Sequence, residues 1–95
     1  IVFDSKAEAQ YYAELLLRQK AGLVRDIELQ PEYRLIIISE DDIPHDCGAY
    51  RADFYFFDVV QGKGRVVDVK GTDLPLSKLK RKIVTARYGI DIELA

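Results

Sequence analysis

One cysteine, one histidine and no methionine are all that this 95-residue chain carries of the sulfur and imidazole side chains. Cys47 alone cannot close an internal disulfide, and a cysteine-rich zinc module is excluded. Such sparing cysteine use suits a reducing compartment, so a cytoplasmic location is expected. No apolar run approaches the roughly 20 residues of a membrane-spanning helix, and no signal-peptide pattern opens the chain. The chain starts at Ile1 and has no methionine, which reads as a sequence whose leading segment is missing. A basic excess is lacking too, since the net charge is −2.

That charge is unevenly spread. Residues 1–60 hold six Lys/Arg against twelve Asp/Glu, whereas residues 61–95 hold eight against four. The window Ser77–Arg87 contains Lys78, Lys80, Arg81, Lys82 and Arg87 and no acid. An acidic protein with one basic face is the result. The length fits a single domain spanning 1–95. With 48% apolar residues and ten aromatics, a hydrophobic core can form without covalent staples.

Hydrophobic spacing predicts a first helix from about Lys6 to Ala21. Ser5 stands at the N-cap, Glu8 completes a capping-box pattern, and Gly22 offers a stop. Tyr11, Tyr12, Leu15 and Leu16 form its apolar stripe, and Glu8 falls on the same side. Extended stretches follow at Val24–Leu29 and Tyr33–Ser39, separated by Gln30-Pro31. Ile36, Ile37 and Ile38 suggest a strand buried on both faces. Glu40–Gly48 reads as a polar loop. Arg51–Val60 and Arg65–Lys70 are the clearest strands, joined by a turn at Gln61-Gly62-Lys63-Gly64. A second helix is expected from about Leu76 to Arg87, with Leu79, Ile83 and Ala86 as its apolar side. The alternation Ile90, Ile92, Leu94 marks a short final strand.

Chemistry concentrates at the end of the fourth predicted strand. Side chains alternate along a strand, so Asp68 and Lys70 share one face while Val67 and Val69 point into the core. Asp53 lies near the start of the partner strand. Two converging carboxylates, with the Val69 carbonyl as a third oxygen, can hold Mg²⁺, a cation that takes oxygen ligands and keeps several waters. Phosphodiester hydrolysis needs such a site, because the attacking water must lose a proton and the transition state gathers negative charge. One distance stands in the way. A tight turn centred on Gly62-Lys63 places Asp53 opposite Thr72, four residues or roughly 13 Å from Asp68. A stagger, bulge or bend near Gly62 or Gly64 is expected to close that gap.

Arg51-Ala-Asp-Phe54, the fifteen-residue step from Asp53 to Asp68, and Asp68-Val-Lys70 resemble the signature of the PD-(D/E)XK nuclease superfamily, with alanine in the proline position. Phe3-Asp-Ser-Lys-Ala-Glu8, Glu28-Leu-Gln-Pro31, Tyr50-x-Ala-Asp-Phe54, Asp68-Val-Lys-Gly71 and Leu79-Lys-Arg-Lys82 extend the likeness to a family of small phage-encoded proteins grouped with these nucleases. The layout is also similar to transposon endonuclease subunits and archaeal Holliday junction resolvases. The resemblance implies an α/β restriction-endonuclease-like core, with a mixed sheet of four or five strands flanked by two helices in the order helix–strand–strand–strand–helix–strand. It implies a Mg²⁺-dependent DNA endonuclease, with Mn²⁺ substituting, a homodimer, and a preference extending to branched DNA. In such relatives a glutamate of the first helix joins the metal site; the matching residue is Glu8.

Several residues admit two readings. Glu8 caps its helix, binds metal, or does both. Gln30 lines the site or caps a turn. The cations of the second helix meet phosphate or only solvent, and Lys80 is the one placed to reach the site. His45, Asp46 and Cys47 lack the spacing of a zinc set. Beside the endonuclease stand two alternatives: a non-catalytic nuclease-fold module that binds DNA or protein, and a nuclease acting on RNA.

Overall fold

The structure is a computed structural model, and it describes residues 2–70 and 72–95. The order of elements is α1 (Lys6–Lys20), β1 (Val24–Leu29), β2 (Glu32–Ile38), β3 (Pro44–Arg51), β4 (Phe54–Asp58), β5 (Lys63–Asp68), α2 (Pro75–Tyr88) and β6 (Ile92–Leu94). Four strands form a mixed sheet in the order β1-β4-β5-β6, antiparallel except for the parallel pair β5–β6. The strands β2 and β3 make a separate two-stranded ribbon. The class is therefore α/β, with two helices, a mixed four-stranded sheet and an added ribbon.

Helix α1 begins where the sequence places it. The Ser5 hydroxyl accepts the Glu8 backbone N–H at 3.1 Å, satisfying one donor that the first turn leaves unpaired. Replacing Ser5 with alanine is expected to cost about 1 kcal/mol, read as a lower midpoint with unchanged slope in urea unfolding; an unchanged midpoint would remove the cap from the stability account. Leu15 is the fully buried residue of this helix, while Leu16, expected in the apolar stripe, is 42% exposed.

The sheet divides the core into two layers. On the α1 side, Leu15, Val24, Phe54, Phe56 and Val67 pack together with Tyr11, Tyr12 and Ile27 around them. On the other side, Leu35, Tyr50, Ala52, Val66 and Val84 pack beneath α2 and the ribbon. A bulge in β1 keeps this division intact. Asp26, at φ 54°, and Ile27 together face Phe56, since Arg25 pairs with Phe57 and Glu28 with Tyr55. The extra residue restores Ile27 to the face of Val24, which a regular strand would deny it.

The β4–β5 hairpin is regular throughout. Phe54 pairs with Val67, and Asp58 with Lys63. The turn is therefore Val59–Gly62, two residues earlier than the glycine pattern suggested. Asp58 builds it: its carbonyl accepts Gly62 N–H at 2.8 Å and its carboxylate accepts Gln61 N–H at 2.9 Å. Gly62 closes the turn at φ 68°, a conformation that costs glycine little.

Three further expectations are corrected. The stretch read as a loop, Glu40–Gly48, contains most of β3; a bulge at Cys47-Gly48 opposite Leu35, with Gly48 at φ 114°, lets the strand absorb its irregular sequence. The single strand expected over Arg51–Val60 breaks at Ala52–Asp53, where the chain leaves the ribbon and enters the main sheet. Ile37 and Ile38, expected to be buried, are 44% and 51% exposed, because the far half of the ribbon extends past the core.

Candidate active site

The bend at Ala52–Asp53 gathers the site. Asp53 precedes Phe54, whose partner is Val67, so the next pairing position beyond the ladder sets Asp53 across from Asp68. No bulge is needed; the earlier turn alone closes the gap. The Asp53 carboxylate accepts the backbone N–H of Val69 at 2.7 Å, and its own N–H donates to the Val67 carbonyl at 3.2 Å. Asp53 therefore ties the end of β5 with both its side chain and its backbone.

Asp68 is the most enclosed of the predicted residues, only 1% exposed. The Tyr50 hydroxyl donates to its Oδ2, and Lys70 Nζ lies 3.4 Å from the same oxygen. Strand periodicity predicted the Asp68–Lys70 face. Tyr50, itself buried, belongs to a segment that carries the resemblance but has no expected role at the site, because a tyrosine in a mixed polar stretch gives no sign of which carboxylate it will meet. The Asp68 carbonyl accepts Ala95 N–H at 2.9 Å, so β5 is held at its end by the chain following β6.

Electrostatics tie Glu8 to both of these carboxylates. Burial raises the Asp68 carboxyl above its usual range, against the pull of Lys70 and Arg81. Burial also raises Asp53, opposed by the Val69 N–H and Lys70 and aided by Asp4. Glu8 is raised by burial, then by the charges of Asp53, Asp4 and Asp68. Glu8 on α1 therefore feels both strand carboxylates, as its helical face implied, while it keeps the capping role through its backbone. Asp4, which the sequence gives no reason to place here, adds a further acid to this field. Groups raised in this way mark a place where negative charge is concentrated and poorly solvated.

The remaining predicted residues are spread around this centre. Gln30, at φ 53°, gives its backbone N–H to the Asp53 carbonyl at 2.9 Å, while its side chain is exposed. Lys78 and Lys82 line a shallow groove on α2 with Asp73, Arg81 and Thr85. Arg81 does not face solvent: its side chain is 12% exposed and paired with Asp73. Lys80 is half-buried, and the Arg87 guanidinium lies 5.5 Å from the ring centre of Tyr88. His45, Asp46 and Cys47 are all exposed on β3, with Asp46 held by Arg34 at 2.9 Å. Among the described residues, no three His, Cys, Asp or Glu side chains stand close enough to form a ready metal set.

What the fold and site define is an α/β domain with a buried carboxylate, Asp68, across from a half-buried one, Asp53, a lysine on the first, and a third carboxylate, Glu8, that feels both. The chain belongs to the DUF1064 family, described as a protein of unknown function, whose sequence profile matches residues 1–95. No curated protein and no solved structure matches it. Among the described residues, no helix is long and apolar enough to cross a membrane.

Proposed function

We propose that the chain is a metal-dependent DNA endonuclease of the PD-(D/E)XK kind. The observation that carries this reading is the β4–β5 register, which sets Asp53 across from Asp68 with Lys70 Nζ 3.4 Å from the latter. A strand-end D…DxK arrangement is what the sequence signature anticipates.

The donor set suits Mg²⁺ or Mn²⁺. Asp53, Asp68 and Glu8 offer only hard oxygen atoms, and Mg²⁺ is commonly held by one or two carboxylates, with waters and substrate phosphate completing the shell. A set of three protein side chains is not required. The raised carboxyls support this too, since a divalent cation would offset the burial of their charge and the repulsion that Asp53 and Asp68 exert on Glu8. Asp53 and Asp68 would hold the ion, with Glu8 beside it. When bound, the ion would supply charge neutralisation and a more acidic water.

The protein's own residues then have distinct tasks. Tyr50 fixes the orientation of Asp68 through its hydroxyl. Lys70 offers a cation to the attacking water or the charge growing on phosphate. Asp53 holds the end of β5 in place through Val69. The exposed cations Lys78, Lys82 and Arg87 give the backbone of the DNA a surface to meet, with half-buried Lys80 on the same helix.

The test is nicking of supercoiled, branched and single-stranded DNA with Mg²⁺. Lys70→Ala is expected to lower the rate at least about 100-fold, and also to lower the unfolding midpoint because buried Asp68 loses its cation, so the two proteins are compared at a temperature where both are folded. Cleavage that survives Lys70→Ala at the native rate would sink the assignment. Calorimetry separates the binding-only alternative: Mg²⁺ uptake by the native chain and none by Asp53→Asn fits the nuclease, whereas DNA binding indifferent to Mg²⁺ fits a non-catalytic module. Matched RNA substrates distinguish the ribonuclease reading.

A further inference from the structure

An apolar surface left open by the fold runs from α2 onto the ribbon. Helical spacing puts Leu76, Leu79, Ile83 and Ala86 in one row, and Val84, the buried residue of this helix, lies off it. Leu76 is 62% exposed and Leu79 55%. Ile83 and Ala86 border a cleft of about 250 Å³ whose other wall is Ile36, Ile37 and Ile38 of β2. Continuous exposed apolar surface of this kind marks a place where another molecule docks.

Cations border the row on both sides. Lys78 and Lys82 follow one flank, Arg87 and half-buried Lys80 the other. Arg87 lines the apolar cleft itself. Lys78 and Lys82 line a separate groove of about 480 Å³, which meets the cleft at Ala86. Arg81, the other cation of the helix, is turned to Asp73. The stretch Ser77–Arg87 holds no acid. Acids stand at the ribbon tip, where Glu40, Asp41 and Asp42 follow Ile38, all three exposed.

DNA phosphates would neutralise the cations but leave the leucines and isoleucines in water. A lipid surface would take both, yet it is flat, and the isoleucines of β2 stand across a cleft from the helix. A helix with one apolar and one acidic face fills such a cleft with side chains three and four residues apart, and sets its carboxylates along the flanking cations. We infer that the occupant is a helix of this kind, carried by a partner protein. It is acidic, amphipathic and about three turns long, matching the ten steps from Leu76 to Ala86, roughly 15 Å at about 1.5 Å each. Its carboxylates lie over Lys78, Lys82 and Arg87. Its amino terminus, the positive end of its dipole, meets the acidic ribbon tip, so it runs antiparallel to α2. Binding at this surface does not depend on the nuclease reading.

The probe is a hydrocarbon-stapled, fluorescently labelled peptide of about 14 residues, with a free amino terminus, leucine at three- and four-residue steps and glutamate on both flanks. The staple holds helical a chain too short to fold alone. Fluorescence anisotropy with the native chain is expected to give a dissociation constant of about 10–100 µM. A scrambled peptide of the same composition, and one with lysine in place of glutamate, are expected to bind at least about tenfold more weakly. Leu79→Glu and Ile38→Glu, both at exposed positions, are each expected to weaken binding at least about tenfold with the unfolding midpoint retained. Lys82→Glu with Arg87→Glu is expected to reverse the preference, so that the lysine peptide binds more tightly than the glutamate one. A glutamate peptide that binds no better than its scrambled form overturns the proposal, as does binding indifferent to Leu79→Glu. Phosphatidylglycerol vesicles are expected to leave the native chain in solution; co-sedimentation that Leu79→Glu abolishes assigns the surface to lipid and overturns the partner helix.

Discussion

Exchanging Asp68 for asparagine is expected to abolish Mg²⁺-dependent cleavage and at the same time make the protein more stable. The two effects have one cause. Asp68 is enclosed by Tyr50, Lys70 and the end of β5, and burial outweighs the attraction of Lys70 in setting its proton affinity. A carboxyl raised in the folded state binds its proton more readily there than in the unfolded chain. Its ionisation therefore opposes folding, and the penalty is fully present above the raised value, including neutral pH. Asparagine keeps an oxygen to accept the Tyr50 hydroxyl and removes the charge. A higher midpoint is expected at pH 7. The advantage should shrink as pH falls into the ordinary carboxylate range, where native Asp68 takes up its proton. Cleavage should fall about 10³-fold or more, since a cation at developing charge is worth several kcal/mol. A less stable variant, or one that still cuts, would contradict the role given to Asp68.

The largest loss of stability is expected from Arg65. Its guanidinium forms a fork on Glu93, with Nε and Nη2 at 2.8 and 2.7 Å, and Nη1 donates to Asp58 at 3.0 Å. It also lies 5.1 Å from the ring centre of Phe56. Three strands meet at this one side chain: β4 through Asp58, β5 through Arg65, and β6 through Glu93. Strand β6 has only three residues and pairs with β5 alone, so its place in the sheet depends heavily on this fork. Arg65→Met, which keeps the stem and removes the charge, is expected to lower the midpoint by roughly 10 °C at pH 7, because two carboxylates lose their partner in a partly buried setting. The pH dependence has a definite sign. Arg65 holds the Glu93 carboxyl below its usual range, and the Gln61 backbone N–H and Arg65 do the same for Asp58. Their contribution is present above the ordinary carboxylate value and is lost as pH falls through the lowered one. The native midpoint should therefore drop more steeply below about pH 4 than that of the variant. Parallel curves for the two proteins would show that the fork adds nothing to acid stability.

Much of this arrangement could be read from residues alone, and the failures share a cause. The start of α1 was legible because Ser5 and Glu8 act within one turn. The shared face of Asp68 and Lys70 was legible because strand alternation is local. The turn was misplaced because Gly62 and Gly64 look alike in sequence. Gly64 in fact lies within β5 beneath Tyr55, whose ring comes within 2.7 Å of where a Cβ would stand. Asp58, three positions before the expected turn, directs it instead through two hydrogen bonds. The loop expected over Glu40–Gly48 failed because a ribbon tolerates a proline at a strand start and a glycine at a bulge. The inward face of α2 was misjudged for a different reason: its periodicity was read correctly, but the layer beneath it favours Val84. Tyr50 and Arg81 were hidden because their partners, Asp68 and Asp73, meet them only once the sheet and helix are assembled.

The four-residue link Val59–Gly62 has a consequence beyond its own corner. It lies five pairing steps from Asp53 and Asp68, roughly 17 Å along the strands, and its residues are exposed. A loop of that kind ordinarily tolerates changes in length. Here its length is the gauge that sets which residue of β5 stands across from Asp53. Shorten the link so that the strands slide by one position, and Val67 or Val69 arrives where a carboxylate belongs, with every side chain of β5 turned to the opposite layer. Spacing at this far corner thus decides which acids face each other, although the link lies at the opposite end of the strands.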